Sequence, residues 1–299
     1  MEKDVHSTTS HVTSDSLARL QARLTSLINW LGPAWAVLCG AVVSGSFGWR
    51  SDDWLRLGSL ILVVDVGWGV LWTALGSTDW ATPLSRWRDW RSGGPVAKPP
   101  YTLPGSPGDR ASRWLGQLYG WWRDVFWPAC GISLSMILVA LLGTVVLAVL
   151  QGTNLLLLTA GALALMQLGL AWEGGRGTAA PKWDALLAVA LPWLAGDIVF
   201  SGSLTLGSAG LGVAFALAWG SAWGARARWE RVLGIGAQLL AAVFLVALRS
   251  ALAAGCLLLL LVPQLMLLSW LKRDPPAAWY VRYARPWMMV AMLVAAWSL

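Results

Sequence analysis

Histidine is nearly missing from this chain of 299 residues, and both copies, His6 and His11, fall within the first dozen positions. No apolar stretch therefore offers the imidazole that usually ligates a haem or chlorin metal. Cysteine is scarce too. Cys39, Cys130 and Cys256 sit singly inside apolar runs, which excludes a Cys/His metal cluster and reads as small packing residues without disulfides. Charged residues are only 12% of the chain, about half the share of roughly 25% found in soluble proteins, so a soluble domain is excluded. There is no Walker loop and no nucleophile elbow.

What the sequence has instead is hydrocarbon. It is 57% hydrophobic with a mean hydropathy of +0.60. Apolar runs of about twenty residues recur, each long enough to cross a hydrocarbon core of about 30 Å. We place nine spans near 28–48, 54–76, 124–150, 153–173, 183–200, 203–223, 231–248, 250–271 and 280–298, with only Arg249 and Ser250 marking the turn between the seventh and eighth. Lipid offers no partner to free backbone groups, so each span is expected to be a helix. The result is an all-α integral membrane protein.

Net charge is +7, and its placement matters more than its size. With the amino terminus in the cytoplasm, 19 of the 22 basic residues fall inside: three in the tail 1–23, seven in loop 77–123, and nine later, among them Arg176, Arg226, Arg228, Arg231, Arg282 and Arg285. Only Arg50, Arg56 and Arg249 fall outside. The positive-inside rule accounts for the basicity, and no nucleic acid is required. The polar first thirty residues, with an amphipathic stretch from Leu17 to Leu27, do not read as a cleaved signal.

The membrane domain spans 24–299. Ser92–Gly108 is rich in Pro, Gly and Ser and reads as irregular, and Gly174–Gly177 as a short turn. Trp114, Leu115, Leu118, Tyr119 and Trp122 then recur at helical spacing, either as an interfacial helix or as a cytoplasmic extension of the third span. Many of the 23 tryptophans, such as Trp30, Trp49, Trp54, Trp80, Trp172, Trp183, Trp223, Trp270 and Trp279, fall at span ends. They read as an aromatic belt, or in part as the lining for a bound planar or prenylated lipid. Two carboxylates, Asp65 and Asp197, stand at membrane depth, where a charge is costly and faces a cavity or a partner; the alternative is a protonated Asp bonding helices together. Gln167 and Gln264 are expected to hydrogen-bond between helices.

Three segments carry a likeness. Pro33-Ala34-Trp35-Ala36-Val37-Leu38-Cys39-Gly40-Ala41-Val42-Val43-Ser44-Gly45 resembles the first span of bacteriochlorophyll a synthase and chlorophyll synthase, of the UbiA superfamily of membrane prenyltransferases. Ala190-Leu191-Pro192-Trp193-Leu194-Ala195-Gly196 is similar to their fifth span. Arg273-Asp274-Pro275, Ala278-Trp279-Tyr280 and Val290-Ala291-Met292-Leu293-Val294 are similar to their carboxy terminus. The likeness covers roughly residues 24–299 and implies a nine-helix bundle in a bacterial cytoplasmic membrane.

The resemblance also implies a chemistry: prenyl transfer from a diphosphate to a chlorophyllide, with Mg²⁺ held by two Asp-rich motifs neutralising the leaving group. Here the first motif falls on Thr78, Asp79, Thr82 and Arg86, and the second on Ala222-Trp223 and Arg228-Trp229-Glu230-Arg231. Ser26-Leu27 replaces a Lys-Pro that should meet the diphosphate. Only Asp79 and Glu230 are acidic, and Arg86 and Arg228 bring charge of the wrong sign. Two cations about 4 Å apart repel by about 4 kcal/mol at an effective dielectric near 20. We therefore expect no metal site and a non-catalytic subunit of a photosynthetic reaction-centre or light-harvesting complex, with a structural, assembly or pigment- or quinone-holding role. The remnants are Asp79, Glu230 and Arg231. Arg86 and Arg228 are candidates for gripping a phosphate directly. Bound bacteriochlorophyll, carotenoid or quinone is compatible with this reading, a chlorin magnesium being ligated by water, a backbone carbonyl, Gln167, Gln264 or Asn154. The alternatives are a divergent, active prenyltransferase using Mg²⁺ on Asp79, Glu230 and Asp89, and a lipid transporter working through Asp65 and Asp197.

Overall fold

The computed structural model describes residues 27–48, 50–87, 90, 103–172, 181–271 and 277–299. The tail with its two histidines, most of Ser92–Gly108, Asp89, Gly174–Gly177 and Arg273-Asp274-Pro275 lie outside the described residues. Among the described residues every regular element is helical. We number them α1 (Leu27–Val43), α2 (Ser51–Ser77), α3 (Ala81–Ser85), α4 (Pro107–Gln151), α5 (Thr153–Trp172), α6 (181–201), α7 (Leu206–Trp223), α8 (Arg228–Ala247), α9 (Ala251–Leu271) and α10 (Ala277–Trp297). Seven of these are long and apolar enough to cross a membrane, and Gly32–Val43 adds a shorter apolar helix. The chain is thus a multi-pass membrane protein whose helices contact lipid.

Consecutive helices run up and down between two ends, which we call lower (residues 77–87, 103–107, 172, 183 and 223–228) and upper. Short turns close the upper end, and polar side chains fasten it. Gln151 Nε2 donates to Arg56 O at 3.1 Å, Asn154 Nδ2 to Gly202 O at 3.0 Å, and Ser250 Oγ to Ser298 O at 2.8 Å. Arg249, with φ of 65°, makes the α8–α9 turn at the position the sequence marks.

Two apolar cores share α1 and α6. One joins them to α2, α4 and α5; the other joins them to α7–α10. The α1–α6 seam is the closest in the bundle. A Cβ on Gly40 would overlap the Trp193 carbonyl oxygen, and one on Gly196 would overlap Val37 O. Only glycine lets two helix backbones meet like this, the small-residue device of membrane bundles. Trp35 Nε1 then donates to Met289 O at 2.9 Å, tying α1 to α10.

Three π-helical turns interrupt the spans, at Leu62–Trp68, Trp122–Phe126 and Leu186–Ala190. The last two precede Pro128 and Pro192, whose rings push on the carbonyl four residues earlier and widen the turn. The first has no proline and contains Asp65. A Cβ on Gly67 in this turn would overlap Thr144 Oγ1 of α4.

Several expectations need correcting. The first span ends at Val43, five residues before the expected boundary, because Gly45 turns the chain with φ of 65°. Of the two readings left open for residues 109–124, the extension of the third span holds: α4 continues through its π turn for 45 residues, about 67 Å at 1.5 Å per residue, well beyond a bilayer of about 45 Å. Its first fifteen residues bury Asp109, Ser112, Gly116 and Trp121, not the aromatic stripe. Trp121 Nε1 donates to Pro83 O at 3.0 Å, and Trp80, Trp87 and Phe126 pack around it. The tryptophans split accordingly. Trp54, Trp172, Trp223 and Trp270 are exposed at helix ends, as a belt requires, whereas Trp68, Trp121, Trp193 and Trp219 are core residues. Cys39 and Cys130 are buried packing residues, but Cys256 faces outward.

Candidate functional site

A polar cleft opens at the lower ends of α7, α8, α9 and α10. Its mouth is set by Glu230 and Arg231, one turn into α8, and by Tyr280 near the start of α10. Its floor is a pair of glutamines. Gln238 Nε2 donates to Gln264 Oε1 at 2.8 Å, and Gln264 Nε2 returns a bond to Gln238 Oε1 at 3.1 Å. Both amides are buried, which in hydrocarbon is tolerable only because each satisfies the other. Leu261, Leu265 and Leu268 form an apolar wall, and Ser221 faces them from α7. The cleft is small, with a free volume of about 20 Å³, room for about one water molecule.

Beside this cleft lies Arg285, eight residues into α10, or about 12 Å along the helix. It is 7% exposed, and its guanidinium carbon stands 4.7 Å from the centroid of Trp219 on α7. Tyr280 and Met288, on either side of Arg285 in α10, and Ala218 and Ala222, on either side of Trp219, all line the cleft. A bundle-facing arginine at this depth marks a functional position by default. The sequence reading counted Arg285 with the inside charges and missed it, although it falls within the expected span 280–298. Gln238 was missed as well. Its only signal was a polar residue at helical spacing from buried Ala241, Ala242 and Leu245.

The structure gathers Glu230, Arg231 and Gln264 in one cleft and leaves the other candidates apart. Asp79 is exposed and accepts from Thr82 N at 3.1 Å, bracing the first turn of α3. Thr82, through its hydroxyl and then its backbone N–H, holds the Asp79 carboxyl below the usual carboxylate range. Arg86 and Arg228 are exposed. Trp223 is exposed and Ala222 is buried. The stem of Glu230 lies over Gly224, where a Cβ would come within 2.6 Å of Glu230 Cγ. Among the described residues no group of three or more His, Cys, Asp or Glu could hold a metal ion. Asp89, the third acidic candidate, lies outside the described residues.

The intramembrane carboxylates are separate from the cleft. Asp197 is 1% exposed beside the α1–α6 seam, with no hydrogen-bond partner for Oδ2 among the described residues. Asp65 is half-buried in the proline-free π turn, and its Oδ2 is likewise unpartnered. Gln167 corrects the sequence reading: it is exposed on α5 and makes no interhelical bond among the described residues. The buried stripe of that helix is Thr159, Ala162, Met166 and Gly169, and Gln167 lies off it. Among the chlorin-ligand candidates, Gln264 Oε1 accepts from Gln238 Nε2, whereas Asn154 engages only its Nδ2, which donates to Gly202 O.

No protein-family model matches the chain, and no curated protein or solved structure matches it.

Proposed function

We infer that the chain is a nine-pass protein of a bacterial cytoplasmic membrane, amino terminus inside, with the architecture of the UbiA prenyltransferases and without their catalysis. It serves as a structural, assembly or lipid-holding subunit beside photosynthetic pigment–protein complexes. The lower end is the cytoplasmic one, because the segments 77–123 and 223–231 carry much of the positive charge. α1 and α10 complete the nine passes, α1 being lengthened by residues before Gly32 and α10 admitting Arg285 through its ring contact with Trp219.

One observation carries the reading. The positions where the resemblance requires magnesium ligands hold exposed Arg86 and Arg228, exposed Trp223 and buried Ala222, while Asp79 is engaged by Thr82. Arginine at these places repels Mg²⁺ instead of binding it. Purification of the tagged chain from its native membrane under mild detergent tests the role. Reaction-centre or light-harvesting subunits should co-purify with it, and a chain that runs alone and free of such subunits overturns the assignment.

A further inference from the structure

α4 leaves an aromatic face open near its start, and two hydrogen bonds fix the height of that face against the bilayer. Gln151 Nε2 donates to Arg56 O at the upper end, and Thr78 Oγ1 donates to Ser133 Oγ at 2.8 Å at the lower. Ser133 and Gln151 are about 27 Å apart along α4, close to a hydrocarbon thickness of about 30 Å. α2 ends at the lower level, and α4 runs on past it. Leu115 and Tyr119 lie about 27 and 21 Å beyond Ser133, whereas a head-group layer is about 7 Å thick. Even at a tilt of about 40° Tyr119 stays about 16 Å beyond. Trp114, Leu115 and Tyr119 are 54%, 53% and 66% exposed, and Trp122 continues the stripe toward the membrane. A contiguous apolar display of this kind marks a contact surface, and lipid does not reach this one.

Charge selects what covers it. Arg110, one turn before Trp114, and Arg123, one turn after Tyr119, are exposed and bracket the stripe about 20 Å apart. The segment 77–124 carries seven basic and four acidic residues. Every cover available within this protein brings the same sign. The stretch from Leu17 to Leu27 carries Arg19 and Arg23, and residues 88–102 carry Arg88, Arg91 and Lys98 against Asp89. A second copy in the same membrane, related by a two-fold axis along its normal, would set Arg110 beside Arg110 and Arg123 beside Arg123. Like charges in contact oppose association.

We propose that the outer face of α4 docks an acidic amphipathic segment of another protein. Its apolar side chains pack on Trp114, Leu115 and Tyr119, and its carboxylates pair with Arg110 and Arg123. A helix of about four turns spans that distance. The aromatics supply contact area, while the arginines set register and the sign of the partner. Trp87 meets Trp114 edge to face, with ring centroids 6.3 Å apart, and holds this end of the stripe in place. The surface stands on its own geometry, independent of any relationship to prenyltransferases.

The test uses the full chain in its native membrane with the photo-crosslinker p-benzoylphenylalanine at position 119. Position 142, where Leu142 is exposed on the lipid-crossing part of α4, is the control. Irradiation should join position 119 to an acidic segment of another protein, identified by sequencing the cross-linked peptide. Arg110→Glu with Arg123→Glu should lower the yield about fivefold, the effect of two exposed charge pairs. Arg110→Lys with Arg123→Lys should keep most of it. Raising salt from about 0.1 to about 1 M, which shortens the screening length from about 10 to about 3 Å, should lower the yield as the charge reversal does. In nanodiscs, a nitroxide at position 119 should collide with a water-soluble nickel complex, and one at position 142 with oxygen dissolved in lipid. An adduct to lipid, to a second copy, to residues 1–26 or to residues 88–102 overturns the proposal. So does an adduct to a segment without excess acid, a yield indifferent to charge reversal, or no adduct.

Discussion

The α1–α6–α10 seam and the lower helix ends differ in what their residues are for. At the seam, Gly40 and Gly196 bring two backbones together around Trp193 and Trp35, and the segments 33–45 and 190–196 lie there. At the lower ends, Asp79, Arg86, Arg228 and Trp223 are exposed or half-bound to their own turns. Backbone-to-backbone packing tolerates no change without refolding the bundle, whereas a helix end can exchange a carboxylate for an arginine and lose only its ligand. Residues at such a seam therefore report on packing and are silent on catalysis.

The sharpest way to break this comparison is at the seam. Gly40→Ala and Gly196→Ala each force a methyl group onto a backbone carbonyl and should cost about 3 kcal/mol or more, since neither helix can yield. Gly58→Ala and Gly236→Ala, whose new Cβ would meet nothing within 4 Å, should be neutral or slightly stabilising. Melting temperatures in detergent read both. Equal losses in the two pairs would mean that the seam is not special.

Next comes the floor of the cleft. Gln238→Leu or Gln264→Leu alone leaves a buried amide without its partner and should cost about 1–2 kcal/mol. The double Leu variant should recover most of that loss. Additive losses would remove the reciprocal pair from the account.

The aromatic knot at the start of α4 should respond more weakly. Trp121→Phe keeps most of the ring packing but loses the bond to Pro83 O, a change of about 1 kcal/mol. It should be visible as faster proteolysis between residues 80 and 106 with little change in melting temperature.

Smallest of all is the effect at Asp79. Thr82 depresses its pKa, so the brace on α3 is present above the ordinary carboxylate range and fades as pH falls through the lowered value. Because the group is fully exposed, Asp79→Asn should leave global stability unchanged and only speed exchange of the Thr82 amide.

Much of the bundle was legible because lipid leaves the backbone one solution, and runs of apolar residues mark it directly. The fifteen-residue extension of α4 was readable as one of two alternatives. Its burial was not, because the residues turned inward include small or polar ones such as Ser112 and Gly116, and Trp121 beside them is held by Trp87 and Pro83 arriving from elsewhere. In the candidate site, Gln264 was legible as a polar residue alone in an apolar run. Gln167 looked identical and faces out, since identity does not give helical phase. Arg285 was hidden by its own sign: an arginine near an inside terminus satisfies the charge rule, and only the Trp219 ring across the bundle reveals that it points inward.

The most direct test of the central claim, that the lower helix ends cannot support metal-assisted diphosphate chemistry, is turnover with bacteriochlorophyllide, geranylgeranyl diphosphate and Mg²⁺ in reconstituted membranes. The account predicts no esterified pigment above a protein-free control at any Mg²⁺ concentration. Product formed at synthase-like rates and abolished by Asp79→Asn would contradict it.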